Sequence, residues 1–229
     1  MSSASGAPAI NSQPSHIAII MDGNRRWAKS HNVPPERAHL HTAPAMINAI
    51  RSAVAHKVPN LTFFCLSDSN LLRPEREVTA LRKLRSWLWT EDVVQTLTAV
   101  RARAIVFGDG MMPFEPRDHL DQAAHQPASP AITVGFAVNY NAHHELERAA
   151  NLVSSGEFDS LEEYYRASSI PEVDLLIRTS GEHRTSGFLL WQAAYAEIIF
   201  TKTLWPDFNE QDFRQAIGDY AKRERRFGR

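Results

Sequence analysis

The chain has 229 residues, 43% of them apolar, and 25 basic residues against 26 acidic ones leave a formal net charge of −1. That length supports one substantial core, and the near-zero balance excludes a mainly electrostatic nucleic-acid binder, which needs excess Lys and Arg to displace counterions from phosphates. A single cysteine, Cys65, excludes an internal disulfide framework and a multi-cysteine zinc site and points to a reducing, cytoplasmic setting.

Met1 to Ser15, MSSASGAPAINSQPS, has neither the basic start nor the apolar middle of a signal peptide. Its small and polar residues bury too little surface to fix a conformation, so residues 1–15 are expected to be a disordered tail before one domain over residues 16–229. No run approaches the roughly eighteen apolar residues of a membrane span.

Ile17 to Met21, IAIIM, is a short unbroken apolar run ending at Asp22-Gly23-Asn24, as expected of a strand buried on both faces. Pro44 is placed as the first residue of a helix carrying Met46, Ile47, Ile50, Ala53 and Val54 on one side, with Pro59 beyond its end. A second buried strand follows at Leu61 to Leu66, and a longer helix is expected from Glu75 past Leu97, with Val78, Leu81, Leu84, Leu88 and Val94 as its apolar stripe. Further strands are predicted at Ala104 to Phe107, Ile132 to Val138 and Leu175 to Ile177, with Gln126 to Pro130 a loop before one of them. Strands alternating with helices imply an α/β fold, a single domain with a mostly parallel central sheet flanked by helices.

In such a sheet ligands bind beyond the carboxyl ends of the strands, which directs attention to the places where apolar runs break into polar ones. At MDGNRRWAK, Asp22 offers oxygen ligands suited to Mg²⁺, Gly23 lets backbone approach a ligand, and Arg25 and Arg26 open the next helix, whose free N–H groups favour an anion. A plain Asp-Gly turn with solvated arginines reads equally well from these residues alone. At DLLIRTSGEHRTSGFLLWQ, a strand delivers Arg178, and Arg184 and Ser186 follow among small residues, a donor set suited to a diphosphate. The alternative is that the arginines pair with carboxylates, of which that loop has only Glu182. At LSDSNLLRP, Ser67, Asn70 and Arg73 could orient a polar head, though Ser69 and Asn70 also suit a simple turn or cap.

Other chemistries find less support. There is no Gly-rich phosphate loop, and no second aspartate two residues after Asp22, where Asn24 stands. The histidines lack zinc-ligand spacing, and Cys65 lies inside an apolar strand, as a buried structural thiol would.

Taken together, HIAIIMDGNRRWAK, SDSNLLRPEREVTAL, DLLIRTSGEHRTSGFLLWQAAYAE and LWPDF followed by RERRFG closely resemble the cis-prenyltransferases, the undecaprenyl diphosphate synthase family, in the same order from His16 to Gly228. The resemblance implies a homodimeric, Mg²⁺-dependent enzyme that ionises an allylic prenyl diphosphate and joins its carbon chain to a second isoprenoid diphosphate. It implies Asp22 and Asn70 as catalytic residues, with Asp22 holding Mg²⁺, and Gly23, Asn24, Arg25, Arg26 and His39 around the allylic diphosphate. Arg178, Arg184 and Ser186 would hold the second diphosphate with Glu197 at its Mg²⁺ site, Ser67 and Arg73 would bind substrate, and Arg226 and Gly228 match an R-x-G element that relatives extend into the partner's site.

The chain also departs from the family pattern. S-x-E-N-W is replaced by Ser67-Asp68-Ser69-Asn70-Leu71, Arg25 stands in place of a common glycine, Pro35 in place of an arginine, and Asn141-Ala142-His143 in place of Gly-Gly-Arg. The segment between Arg73 and Arg178 is shorter than in long-chain relatives. These differences imply a short product and irregular, lavandulyl-type head-to-middle coupling with dimethylallyl diphosphate as acceptor. The alternatives are regular cis condensation with isopentenyl diphosphate, or a non-catalytic binding subunit of a prenyltransferase complex, a role in which relatives tend to lose the aspartate that this chain keeps as Asp22.

Overall fold

The computed structural model describes residues 13–67, 90–108 and 127–223, except for the side chains of Pro35, Glu36 and His39. Within them the chain runs β1 His16–Ile20, α1 Asn24–Ser30, a 3₁₀ segment Pro35–His41, α2 Thr42–Ala55, β2 Asn60–Phe64, α3 Glu91–Ala99, β3 Ala102–Phe107 and β4 Ile132–Ala137. There follow α4 Ala142–Ser154, α5 Leu161–Ala167, β5 Leu175–Arg178, β6 Glu197–Phe200, a 3₁₀ turn Trp205–Asp207 and α6 Glu210–Ala221. The strands form one six-stranded sheet in the order β3-β4-β2-β1-β5-β6. Every pairing is parallel, so all carboxyl ends open on one edge, as the sequence led us to expect.

β1 sits near the middle of the sheet and is buried throughout. Its alternate residues feed two cores. Ile17 and Ile19 join Phe63, Phe136, Ile177 and Trp205 on the face covered by α2, α3 and α6, and Ala18 and Ile20 join Tyr140, Leu176 and Phe188 on the other. Each fully buried isoleucine or phenylalanine contributes roughly 1.5–3 kcal/mol. Alanines at 45, 49 and 53 let α2 lie close to the sheet, with Met46 and Ile50 filling the space between.

Three boundaries differ from the sequence reading. α2 begins at Thr42, so Pro44 is its third residue, where the missing N–H is still one that a helix start leaves free. The long helix predicted from Glu75 past Leu97 falls largely outside the described residues, and its described part starts afresh at Glu91: Thr90 has extended backbone (φ −62°, ψ 153°) and its side chain accepts from the Val93 N–H as an N-cap. Thr90 followed by Glu91 and Asp92 is an N-cap with acids in the first turn. The end of the predicted tail is anchored: the Ser15 N–H donates to Asp174 Oδ2 at 2.7 Å and Gln13 donates to the His56 carbonyl.

At the amino edge of the sheet, His16 is fully buried, with Nε2 2.8 Å from Thr62 Oγ1 and Nδ1 2.9 Å from the Pro171 carbonyl. Burial pushes its pKa down from 6.5 to about 4, against the opposing pull of the Pro171 and Glu172 carbonyls. The folded state thus holds His16 neutral while the unfolded chain protonates it, so its contribution is present above about pH 6.5 and lost as pH falls towards about 4. We expect roughly 3 kcal/mol less stability at the bottom of that window. Denaturant titrations at pH 7 and pH 4.5 should show a steeper loss for the unaltered protein than for His16→Gln; equal slopes would refute the assignment.

Candidate functional site

The carboxyl edge gathers the polar residues that follow β1 and β5. Asp22 leaves β1 with its backbone clamped by Thr179, whose Oγ1 accepts from the Asp22 N–H at 2.9 Å and donates to the Asp22 carbonyl at 2.7 Å. The carboxylate accepts from the Gly23 N–H through Oδ1 and from Arg178 through Oδ2, each at 2.7 Å. Partial burial pushes the Asp22 carboxyl up, but the hydrogen bond and charge of Arg178, with smaller help from Gly23 and Arg26, outweigh it and hold it below the usual carboxylate range. Asp22 is therefore an ionised carboxylate at the mouth of the sheet.

Arg178 is the last residue of β5, and its side chain is only 5% exposed. One terminal nitrogen binds Asp22, and the other donates to the Arg184 carbonyl at 2.7 Å and to Ser186 Oγ at 2.9 Å. The guanidinium thereby fixes the loop after β5, in which Ser180, Ser186 and Leu189 adopt left-handed backbone (φ 79°, 53° and 48°) at a cost on the order of 1 kcal/mol each.

Gly23, the residue before α1, has φ 104°, and a Cβ there would lie 2.9 Å from both Leu204 Cδ2 and Ser180 Cβ. This close approach lets the 3₁₀ turn Trp205–Asp207 brace the site, with the Trp205 N–H donating to the Asp22 carbonyl at 3.0 Å. Gly23→Ala is expected to cost about 1–3 kcal/mol of stability through backbone strain and to lower activity by displacing Asp22. Thermal melts read beside turnover check this, and an unchanged pair would contradict it.

α1 carries the second cationic group. Arg26 donates to the Ser180 carbonyl at 2.9 Å and to Ser180 Oγ at 2.6 Å, and Glu182 bridges it at 3.1 Å to Arg184 at 2.6 Å. Among the described residues these arginines form ion pairs, the alternative left open from the sequence: Arg178 pairs with Asp22, and Glu182 pairs with both Arg26 and Arg184. Asn24 donates to the Met21 carbonyl and accepts from Thr42 Oγ1, so it ties β1 to α2, and Arg25 lies exposed beside it.

Of the remaining residues singled out from sequence, Ser67 bridges to Tyr140 at the same edge. His39 contributes backbone to the 3₁₀ segment Pro35–His41, and its side chain is outside those described. Asn70, Arg73, Val78, Arg226 and Gly228 also lie outside the described residues. Glu197 does not join this group: it begins β6, level with Leu175 rather than Arg178, roughly 10 Å down the strand, and its carboxylate pairs with Arg223 at 2.6 Å. Phe63 is core, packed against Phe136 and Trp205. Cys65 is a half-buried free thiol whose pKa burial pushes up, in keeping with an unreactive role.

Sequence reading missed two features. Phe64 and Phe188 stack at 4.5 Å, with Tyr140 edge-on to both and Phe107 against Tyr140, an aromatic cluster within the second core in which Tyr140 and Phe188 are buried. His41 packs on Trp27 of α1 at 4.5 Å, and the Trp27 indole donates to Asp207 at 2.7 Å.

The donor chemistry fits Mg²⁺ in a limited way. Among the described residues no three His, Cys, Asp or Glu converge on one point, but Mg²⁺ ordinarily takes only one or two carboxylates and completes its shell with substrate phosphate oxygens and water. Asp22 meets that demand. Among the described residues no helix is long and apolar enough to cross a membrane.

Comparison with known proteins agrees with this arrangement. A prenyltransferase family model described as undecaprenyl diphosphate synthase matches residues 20–228. The chain is 40% identical over 232 residues to the (2E,6E)-farnesyl-diphosphate-specific ditrans,polycis-undecaprenyl-diphosphate synthase of Photorhabdus laumondii, covering 94% of this chain and 89% of the relative. It is also 40% identical over 228 residues to an isoprenyl transferase of Rhizobium meliloti, covering 94% and 92%. The crystal structure of lavandulyl diphosphate synthase from Lavandula x intermedia, in complex with dimethylallyl diphosphate, superposes with a TM-score of 0.83 at 30% identity, over 95% of this chain and 99% of that one.

Proposed function

The chain belongs to the undecaprenyl diphosphate synthase family of prenyltransferases, and from that premise we propose that it transfers an allylic prenyl group to a second isoprenoid diphosphate, releases diphosphate and makes a short product. The observation that carries this reading is the set Asp22, Arg178, Arg26 and Arg184, linked by ion pairs at one sheet edge.

Breaking the allylic C–O bond builds negative charge on the departing diphosphate and positive charge on the carbon chain. Asn24, Arg25 and Arg26 at the start of α1 would receive the departing group, where helix N–H groups and guanidiniums stabilise it. Asp22 would hold Mg²⁺, which supplies Lewis-acid neutralisation of the diphosphate when bound. Arg178, Arg184 and Ser186 would position the second diphosphate, and half-buried Phe64 would offer the cation an aromatic face. The Ser69 and Leu71 substitutions and the likeness to lavandulyl diphosphate synthase favour irregular coupling to dimethylallyl diphosphate. Identity to the Photorhabdus enzyme favours the second reading, regular cis condensation with isopentenyl diphosphate.

Incubation with dimethylallyl, geranyl, farnesyl and isopentenyl diphosphates, singly and in pairs with Mg²⁺, followed by mass spectrometry of the dephosphorylated products, separates the two. Branched product from dimethylallyl diphosphate alone is the expected result. Long linear polyprenols made only with isopentenyl diphosphate would overturn both the short-product and the irregular assignments.

A homodimer belongs to the same proposal. β6 is the edge strand, half-buried along its length, and Leu190, Trp191 and Tyr195 just before it are exposed, Tyr195 by 79%. A second copy packed there would cover an open strand edge and aromatic surface together. Sedimentation that finds a fully active monomer would refute it.

A further inference from the structure

Among the described residues Glu182 is the carboxylate that touches both Arg26 and Arg184. Oε1 lies 3.1 Å from Arg26 and Oε2 2.6 Å from Arg184, so each oxygen serves a different guanidinium. Under the function proposed above these arginines serve different substrates, Arg26 the allylic diphosphate and Arg184 the second. We propose that Glu182 is a positioning residue that couples the two diphosphate subsites, occupying both arginines before substrate binds and leaving both when the first diphosphate arrives.

The physical chemistry supports exchange. The side chains of Arg26, Glu182 and Arg184 are 51%, 34% and 58% exposed, so neither pair is locked in by burial, and exposed ion pairs of this kind are weak and readily replaced. Glu182 is ionised at neutral pH, because the Arg184 hydrogen bond and charge hold its carboxyl below the usual range, with a smaller contribution from Arg26. A diphosphate carries more charge than a carboxylate and accepts from a guanidinium through several oxygens, so it wins Arg26. Its negative charge then repels Glu182, which shares the same small volume, and the carboxylate leaves Arg184 too. The second diphosphate therefore meets a guanidinium already vacated, and by linkage the effect is reciprocal.

Glu182 follows Gly181, whose φ is 72°, and the Gly181 N–H donates to the Thr201 carbonyl at 2.7 Å, so the backbone on its amino side stays anchored while the side chain swings. Arg26 retains its two bonds to Ser180 throughout. What changes is only the anion between the arginines.

Calorimetric titration with inorganic diphosphate in the presence of Mg²⁺ tests this on the full chain. The unaltered protein should bind two equivalents with positive cooperativity, the second roughly fivefold tighter than the first. Glu182→Gln should bind the first equivalent tighter and lose the cooperativity, while Glu182→Asp retains part of it; melting temperatures serve as a check that all three are folded. Cooperativity unchanged in Glu182→Gln, or a weaker first equivalent, overturns the coupling alone. Absence of any diphosphate binding by the unaltered protein overturns the diphosphate reading of the site, and the coupling with it.

Discussion

Asp22→Asn is expected to lower kcat at least about a hundredfold, roughly 2.7 kcal/mol in the barrier, with little change in thermal stability. Asparagine keeps an oxygen for the Gly23 N–H and a polar partner for Arg178, but it loses the negative charge that would hold a metal ion against the diphosphate. Asp22→Ala is a poorer test. Removing the carboxylate leaves Arg178, 5% exposed, without its counter-ion, and breaking a fully buried pair costs about 3–5 kcal/mol. The cost here is smaller because Asp22 itself is 31% exposed, yet a drop in folded population would still mimic a loss of catalysis. Single-turnover assays with saturating allylic diphosphate and Mg²⁺ read the asparagine variant directly, and near-normal rates would remove Asp22 from the reaction.

Replacing Arg178 with Gln should produce the broader defect. Its two terminal nitrogens engage Asp22, the Arg184 carbonyl and Ser186, and each hydrogen bond to a charged group is worth roughly 1.5–3 kcal/mol. We expect kcat/KM to fall by about tenfold to a hundredfold or more, with both kcat and KM affected, since the same side chain aims the Asp22 carboxylate and shapes the loop proposed to hold the second diphosphate. Arg184→Ala removes an exposed guanidinium that does not touch Asp22, so KM for the second diphosphate should rise while kcat holds. Equal profiles for the two variants would mean that Arg178 has no role beyond binding.

Strand ends were legible because parallel strands buried on both faces require continuous apolar runs, and the site begins where those runs stop. Asp22, Arg26, Arg178 and Ser186 were all found by that rule, and all lie on the carboxyl edge. β6 escaped it: Glu197–Phe200 is an edge strand, half-buried, whose Glu-Ile-Ile-Phe run is short and charged at its start. The helix start at Thr90 was written locally in Thr-Glu-Asp, an N-cap followed by acids in the first turn. The His41–Trp27 contact was not legible locally, since only the fold brings Trp27 of α1 against the segment that precedes α2.

The sequence by itself determined the layer architecture, the edge on which the site lies and the chemical character of its residues, because hydrophobic period and strand termini are local properties. Which groups meet was decided only by tertiary structure. Asp22 and Arg178 are 156 positions apart and touch because β1 and β5 are parallel neighbours in register, Ile20 opposite Arg178. Glu197 and Arg178 are far closer in sequence, yet parallel pairing of β5 with β6 sets them at opposite ends of their strands. Spacing along a chain carries no information about register between strands, which is fixed by the packing of both sheet faces at once.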